Sequence, residues 1–143
     1  MNDAFNEFAD VLHATDHAWR NAIDRRLRPL GISRSNWRIL AMLNLHGELN
    51  QGRLAELLAV EGPTVVRLID KLERDGLVER VLDPSDRRVR NIRLTPAGKK
   101  SMKPIQDIIE QFRVDVFAQV GDKNLEQAIR FLNAVRAAVG EMN

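Results

Sequence analysis

Residues 61–95 constrain the fold of this chain more than any other stretch, because an amphipathic helix is followed at once by two short apolar segments. Apolar residues recur in the helical part at Val65, Leu68, Ile69 and Leu72. This spacing predicts a helix with one buried face, and the polar side chains between these positions would face outward. Asp75-Gly76 predicts the end of the helix, because glycine readily adopts the positive φ of a C-terminal cap.

Two strands are predicted after this helix, at residues 77–82 and 91–94, and an arginine-rich loop connects them. The loop starts with Asp83-Pro84-Ser85-Asp86, which is turn chemistry, and continues with two adjacent arginines. A solvent-facing helix start beside a projecting basic hairpin suits a DNA duplex. The helix fits the major groove, and the hairpin tip can reach the minor groove or the phosphates. A solvated hairpin with surface arginines is the alternative from these features alone.

Further helices are predicted on both sides of this stretch. They cover about residues 3–27, 33–46, 51–59 and 96–120, with a last helix from about Leu125 through Val135. Ser33, Asn50 and Thr95 stand where a side chain caps a helix N-terminus. Pro104 predicts a bend in the long helix that contains it. The third helix and the helix after residue 61 form a helix-turn-helix, so the predicted fold class is mainly α with a small β-hairpin.

Three motifs around the hairpin carry a resemblance to a known family. They are Leu72-Glu73-Arg74-Asp75-Gly76-Leu77-Val78-x-Arg80, Asp86-x-Arg88 and Leu94-Thr95-Pro96-Ala97-Gly98. Together they resemble the winged helix-turn-helix signature of MarR-family transcriptional regulators, in which the hairpin, here residues 77–94, is the wing. Glu61-x-Pro63-Thr64-Val65-Val66-Arg67 looks like the SlyA branch in particular.

The resemblance spans nearly the whole chain and implies one MarR-like domain, residues 1–143. Within it, residues 33–95 would form an α+β winged helix-turn-helix lobe that binds double-stranded DNA. Residues 1–30 and 96–143 would form N- and C-terminal dimerisation helices. The implied function is that of a sequence-specific transcriptional regulator.

The predicted terminal helices carry more apolar surface than a 143-residue monomer with a compact central lobe can bury. We therefore expect them to form a homodimer interface, as the resemblance implies. The alternative is an accessory four-helix bundle within a monomer. In a dimer, two recognition helices related by a two-fold axis would address half-sites roughly 10 bp apart, so the operator would be a short pseudo-palindrome.

Five predicted DNA contacts lie at the start of the helix that follows residue 61, the predicted recognition helix. They are Gly62, Pro63, Thr64, Val66 and Arg67. Glycine permits a close backbone approach. Arg67 could donate two hydrogen bonds to a guanine, and Val66 could contact a thymine methyl group. These residues would therefore read base edges or bind adjacent phosphates.

Four predicted DNA contacts lie in the wing, namely Asp86, Arg87, Arg88 and Arg90. The resemblance implies that Asp86 holds the Arg88 guanidinium in place, and Arg88 is the predicted minor-groove contact. Arg87 and Arg90 are predicted to bind phosphates, with solvation as the alternative. Residues 86–100 contain six basic residues and one acid, so this patch favours phosphate contact although the whole chain has a net charge of only +2.

The resemblance also implies an effector, a small phenolic or aromatic carboxylate that binds between the dimerisation helices and the DNA-binding lobe. The matching positions are His17 and Arg20 on the first helix and Ser35 and Trp37 on the second. A cation suits a carboxylate, and an indole face suits an aromatic ring. The alternative is that Trp37 belongs to the core and that Arg20 pairs with Asp16 or Asp24.

Several function classes are disfavoured by what the sequence lacks. The chain has no cysteine, which excludes disulfides, thiolate metal sites and thiol redox sensing. His13 and His17 have a spacing that can hold zinc, but no clear further ligand accompanies them, so no metal site is predicted. Without a phosphate-binding loop, a nucleophile elbow or a catalytic triad, no enzymatic activity, catalytic residue or cofactor is predicted. No signal peptide or membrane-length apolar run is visible, so a cytoplasmic location without a membrane partner is predicted.

Two other functions fit a winged fold, because the fold alone does not fix function. One is a protein-interaction module whose wing contacts an acidic partner. The other is an architectural DNA-binding or desilencing protein, which would protect AT-rich DNA diffusely rather than one palindrome. The D-x-R motif of the wing and the exposed polar start of the recognition helix favour a regulator over the interaction module.

Overall fold

A computed structural model describes residues 2–142 and places six α-helices and three β-strands in that range. The helices are α1 (Asp3–Leu27), α2 (Arg34–His46), α3 (Gln51–Leu58), α4 (Gly62–Arg74), α5 (Pro96–Val120) and α6 (Leu125–Glu141). The strands are β1 (Leu49–Asn50), β2 (Val78–Leu82) and β3 (Arg90–Leu94), and a short 3-10 turn, Arg28–Leu30, follows α1. The predicted mainly α fold with a small antiparallel hairpin is confirmed. No helix between residues 2 and 142 is long and apolar enough to cross a membrane.

Contacts divide the chain into two compact units, one that extends to Ile109 and one that starts at Glu110. The first unit holds α1 to α4, the sheet and the first part of α5. The largest fully buried apolar side chains of its core are Leu27, Ile39, Leu40, Leu43, Leu54, Val65, Ile69, Leu72, Val78, Ile92 and Ile105. Each such side chain contributes about 1.5–3 kcal/mol when buried, so this core is the main source of stability for the unit.

The second unit holds the end of α5 and all of α6, and most of its large apolar side chains are exposed. The exposed ones are Val114, Val120, Ile129, Phe131, Leu132, Val139 and Met142. Within the described part of this unit, Phe112 is the only large apolar side chain that is buried. No residue that the structure describes in α6 is buried, and Leu125 and Val135 are half-buried, so most of the apolar surface of this helix is exposed.

The three predicted N-caps are confirmed. At α2, Ser33 Oγ accepts a hydrogen bond of 3.1 Å from the backbone N–H three residues later. Asn50 Oδ1 accepts the equivalent bond at α3 over 2.8 Å, and Thr95 Oγ1 accepts it at α5 over 3.0 Å. Each cap satisfies a donor that the helix itself leaves free. α5 continues through Pro104 as one helix, and the bend at this residue stays a prediction.

The sheet has the strand order β1-β3-β2, and both pairings are antiparallel. The predicted hairpin is formed by β2 and β3, and Leu82 pairs with Arg90 next to the loop. β1 was not predicted. It pairs Leu49 with Ile92 on the other edge of β3. Two residues are too few to show the alternating pattern by which a strand is recognised in a sequence.

The turn after α4 packs closely against the start of α5. Gly76 has a φ of 74°, which fits the predicted helix end, and its carbonyl oxygen accepts a hydrogen bond of 2.6 Å from Thr95 Oγ1. Thr95 N donates to Leu77 O over 3.1 Å. At Gly98, a Cβ atom would overlap the same Leu77 carbonyl oxygen. Glycine is therefore required at the last position of the Leu94–Gly98 motif for packing.

The turn between α3 and α4 is short, and a side chain of α2 donates a hydrogen bond to it. Ala59 has a φ of 51°, a left-handed conformation that is uncommon for a residue with a Cβ atom. Arg38 Nη2 on α2 donates to the carbonyl oxygen of Leu58 over 3.2 Å. This bond satisfies a carbonyl group at the end of α3 and fixes the point from which α4 begins.

Candidate nucleic-acid interface

The start of α4 is open to solvent while its other face is buried. Val65, Ile69 and Leu72 face the core, as the spacing predicts. Of the predicted contact residues, Gly62, Pro63 and Arg67 are exposed and Thr64 and Val66 are half-buried. Glu61 precedes the helix, and its side chain makes no capping hydrogen bond. The first turn of α4 is therefore accessible to a ligand.

The wing loop is organised by the carboxylate of Asp83. Its Oδ1 atom accepts hydrogen bonds from the Ser85 backbone over 2.8 Å, the Ser85 hydroxyl over 2.5 Å and the Asp86 backbone over 3.1 Å. Its Oδ2 atom accepts from Asn91 Nδ2 over 2.9 Å. The Ser85 hydroxyl, then the Ser85 backbone and the Asn91 amide, lower the pKa of Asp83 to about 2. The loop therefore has a defined shape before it meets any ligand.

Arg88 projects from this loop and is anchored by Asp86. Asp86 Oδ1 accepts from the Arg88 backbone N–H over 3.0 Å and lies 3.4 Å from Arg88 Nε. The Arg88 side chain is nevertheless 93% exposed. Arg87 and Arg90 are also exposed, and neither forms an ion pair with another residue in the described range. The Asp86–Arg88 contact has the geometry that the resemblance implies, and the DNA contacts of the wing stay a prediction.

Arg93, one of the six basic residues of the patch at 86–100, has its charge balanced by two glutamates. Arg93 Nε lies 2.7 Å from Glu79 Oε1, and Arg93 Nη1 lies 3.3 Å from Glu48 Oε1. The hydrogen bond and the charge of Glu79, followed by those of Glu48, raise the pKa of Arg93. The unpaired positive charge of the wing is therefore concentrated near the loop, at Arg87 and Arg90, beside the exposed Arg88 that contacts Asp86.

The four predicted effector contacts lie on α1 and α2 of the first unit. His17 and Arg20 are exposed, and each has a partner on its own helix: His17 Nε2 is 2.9 Å from Asn21 Nδ2, and Arg20 pairs with Asp16. The alternative that paired Arg20 with Asp16 is therefore confirmed as a contact.

On α2, Ser35 and Trp37 are half-buried, and the indole Nε1 atom of Trp37 is buried without a hydrogen-bond partner in the described range. Burial, followed by the nearby guanidiniums of Arg38 and Arg20, lowers the pKa of Arg34. Two clefts in the first unit, of about 650 and 490 Å³, are lined by other residues. Between residues 2 and 142, no group of three or more metal-ligating side chains comes together.

Sequence reasoning missed the contribution of Asp83 and of Arg80 to this surface. Asp83 was recognised only as turn chemistry, although an Asx residue followed two positions later by Ser is a signal for a side-chain-stabilised turn. Arg80 Nη2 lies 2.6 Å from Asp70 Oδ1 on α4. No sequence signal identifies that pair, since it depends on how β2 lies against α4.

The low pKa of Asp83 predicts how the wing responds to acid. Because the folded-state pKa lies below the ordinary 3.8, ionised Asp83 stabilises the loop above about pH 4, and this contribution is lost as the pH falls from about 4 toward 2. We expect the Asp83 carboxyl carbon to titrate by NMR with a midpoint of about 2. Asn91→Ala removes one donor and should move the midpoint upward. A midpoint of 3.8 in the unaltered chain would contradict the hydrogen bonds described here.

Comparisons with known proteins show which sequences and folds this chain is similar to. The sequence model of the MarR family matches residues 30–89. A solved structure described as transcriptional regulator PA3341 is 36% identical over 94% of this chain and 98% of that chain, with a TM-score of 0.81. MepR from S. aureus, solved in a complex with DNA, is 27% identical over 92% of this chain and 97% of that chain, with a TM-score of 0.84. A mutant MarR from E. coli with operator DNA shares the fold at 20% identity, with a TM-score of 0.83 over 92% and 96% of the two chains.

Proposed function

The chain belongs to the MarR family of DNA-binding transcriptional regulators, and on that premise we propose that it acts as a homodimer on a pseudo-palindromic operator. The observation that carries the proposal is the wing arginine, Arg88, which is 93% exposed and yet anchored by Asp86. A guanidinium that is held at one edge and open at the other suits a narrow minor groove, where the negative potential is strong.

The start of α4 supplies the second half of the proposed contact. Its exposed and half-buried residues, Gly62, Pro63, Thr64, Val66 and Arg67, would face the major groove, and Arg67 would contact a guanine or a phosphate. Arg87 and Arg90 would bind phosphates beside the minor groove. Base readout by α4 and anchoring by the wing together would give sequence-specific binding.

The proposed dimer interface consists of apolar surface that the described chain leaves uncovered. Ile129, Leu132 and Val139 of α6 are 50%, 44% and 55% exposed. Near the N-terminus, Phe5 and Val11 of α1 are 71% and 56% exposed. Exposed apolar side chains in such number mark a protein-binding surface, and a second copy of the chain is the partner that a two-fold operator requires.

DNA titration tests the proposal. The protein is added to a labelled fragment from its own upstream region at two salt concentrations, with and without unlabelled competitor. We expect saturable binding that survives the competitor. Arg88→Ala should weaken this binding by about 1–3 kcal/mol and reduce the salt slope by about one, because one phosphate or minor-groove contact is lost. Arg93→Ala, which removes an arginine already held by two glutamates, should leave the affinity near that of the unaltered chain.

Footprinting separates this proposal from its two rivals. One discrete palindrome with two protected half-sites supports a regulator. Diffuse protection of AT-rich DNA supports an architectural or desilencing protein. If no DNA binds even at low salt, the winged fold would instead serve as a protein-interaction module.

We propose in addition that the chain belongs to the SlyA-like branch and responds to a small phenolic or aromatic carboxylate. His17, Arg20, Ser35 and Trp37 would contact this effector. The buried Trp37 Nε1 atom supports the idea, because it is a donor without a partner in the described range. The Arg20–Asp16 pair would have to open.

Millimolar salicylate is a suitable probe of this effector proposal. A ligand that prefers the folded protein must raise its melting temperature, and one that prefers a single conformation must change its DNA affinity. We expect both to change, and Trp37→Phe should reduce the changes because it removes the N–H donor but keeps a ring. If salicylate leaves both quantities unaltered, these residues do not form a site for aromatic acids.

A further inference from the structure

Arg80 on β2 makes ion pairs with two acids of α4. Its Nη2 atom lies 2.6 Å from Asp70 Oδ1, and its Nη1 atom lies 2.8 Å from Glu73 Oε1. Nε and Nη2 also donate to Gln51 Oε1 at the start of α3, each over 3.4 Å. A single guanidinium group therefore connects the first strand of the wing to both helices of the helix-turn-helix.

These contacts join β2 directly to α4. The two elements are consecutive in the chain and are joined by the turn at Gly76, whose φ of 74° relies on glycine. Glycine restricts backbone dihedrals weakly. Glu73 adds to the restraint, since it also accepts a hydrogen bond of 3.3 Å from the Arg80 backbone N–H. Together, Asp70 and Glu73 hold β2 at two points along the last turns of α4.

The network has the character of an orienting device rather than of a core contact. The Arg80 side chain is 22% exposed, while Asp70 and Glu73 are 46% and 43% exposed. Both acids would be hydrated if Arg80 were absent, and ion pairs between such groups contribute little to the free energy of unfolding. A planar guanidinium does, however, fix the direction of each carboxylate that it binds.

We propose that Arg80 is a positioning residue that holds the wing at a fixed orientation to α4, so that both elements reach the operator together. The inference rests on the DNA-binding function proposed above. Arg80 would act through the placement of Arg88 and Arg67 and would not need to contact DNA itself. Without Arg80, Arg88 and Arg67 could each still contact DNA, but the wing and α4 would no longer be held in the one arrangement in which both contacts form together.

Arg93 on the neighbouring strand provides a matched control. It also pairs with two acids, Glu48 and Glu79, but neither acid belongs to α3 or α4. Arg80→Met and Arg93→Met therefore remove the same charge and the same kind of ion pair from one sheet. Arg80→Lys keeps the charge but loses the planar guanidinium with its fixed donor directions. This variant replaces Arg80→Met in the experiment if Arg80→Met does not fold.

Operator titration of these variants, each with and without Arg88→Ala, gives the first readout. We expect Arg80→Met to lower operator affinity about tenfold more than Arg93→Met does. The loss of operator affinity caused by Arg88→Ala should then be at least about threefold smaller in the Arg80→Met background than in the unaltered chain. The reason is that Arg88 contributes less to DNA binding when the wing has no fixed position. Equal losses in both backgrounds would mean that Arg80 contributes only charge or stability, and the proposal would be overturned.

A second readout needs no DNA. Because the chain has no cysteine, Arg67→Cys on α4 and Arg87→Cys in the wing accept one spin label each. The labelled chain is diluted with an excess of unlabelled chain, so that a dimer carries one labelled copy. Pulsed electron paramagnetic resonance should then show a broader distance distribution after Arg80→Met and an unaltered one after Arg93→Met. A distribution that stays unaltered after Arg80→Met overturns the positioning role. If it broadens while the unaltered protein does not select any operator over competitor, the proposed function fails and the positioning role stands.

Discussion

Ile129→Glu is expected to lower operator affinity by about 10²–10⁴-fold, because it should convert the proposed dimer into monomers that bind one half-site each. Ile129 lies on α6 and is 50% exposed in the single chain, so a second copy would be needed to bury it. A carboxylate in an apolar interface loses its hydration without gaining a partner. The free energy of dimerisation should therefore become less favourable by several kcal/mol, on the order of the penalty for burying an unpaired ion. Sedimentation velocity and DNA titration on the same sample measure both effects.

Gln127→Glu is the control for this variant. It adds the same charge to the same helix at an exposed polar position, two residues away and therefore on a different face. We expect Gln127→Glu to remain a dimer with nearly unaltered operator affinity. If Ile129→Glu also stays dimeric, the apolar surface of α6 is not the interface, and the dimer would have to be sought at the N-terminal part of α1.

Gly98→Ala should lower the free energy of unfolding by about 2–3 kcal/mol, although it adds a single methyl group to a helix. The added Cβ atom would overlap the carbonyl oxygen of Leu77. That carbonyl accepts the hydrogen bond from Thr95 N, so it cannot move away without breaking a bond that joins the turn to the start of α5. Urea unfolding followed by circular dichroism gives the free energy of unfolding. If the dependence of this free energy on urea concentration is unaltered, the substitution has changed the stability of the native state and not the compactness of the unfolded chain.

Gly140→Ala is the matched control, and it should raise the free energy of unfolding or leave it unaltered. Gly140 lies within α6, and a Cβ atom there would meet no atom within 4 Å. Alanine favours a helix over glycine by about 1 kcal/mol, so this variant should be as stable as the unaltered chain or more stable. If the two variants behave alike, Gly98 is not held against the turn, and the tight packing of α5 described above is wrong.

Features that depend on neighbours in the sequence could be predicted. The caps at Ser33, Asn50 and Thr95 bind donors three residues away, so their pattern is visible in the chain itself. The amphipathic face of α4 follows from helical spacing alone. The contact between Asp86 and Arg88 was expected from the family resemblance, through a motif that is also local. The candidate DNA-contact residues also lie in these local elements.

Features that depend on contacts between distant segments could not be predicted. Arg93 looked like part of a basic patch, but one of its partners, Glu48, lies 45 residues earlier in the chain. Arg80 binds Gln51 from 29 residues away. The strand β1 is recognised by its pairing with β3, which lies more than 40 residues later in the chain. In each case the packing of the fold determines the partner, and the residue type alone gives no indication of it.

The hydrogen bonds of Asp83 separate the part of the wing that forms its shape from the side chains that are proposed to bind phosphates. The carboxylate fixes the loop through Ser85, Asp86 and Asn91, and it uses neither Arg87 nor Arg90. Substitutions at those two arginines can therefore accumulate without unfolding the loop. A regulator built in this way can adjust how tightly its wing binds phosphates by exchanging exposed side chains on an unaltered scaffold, so this part of its DNA affinity is easier to evolve than its fold.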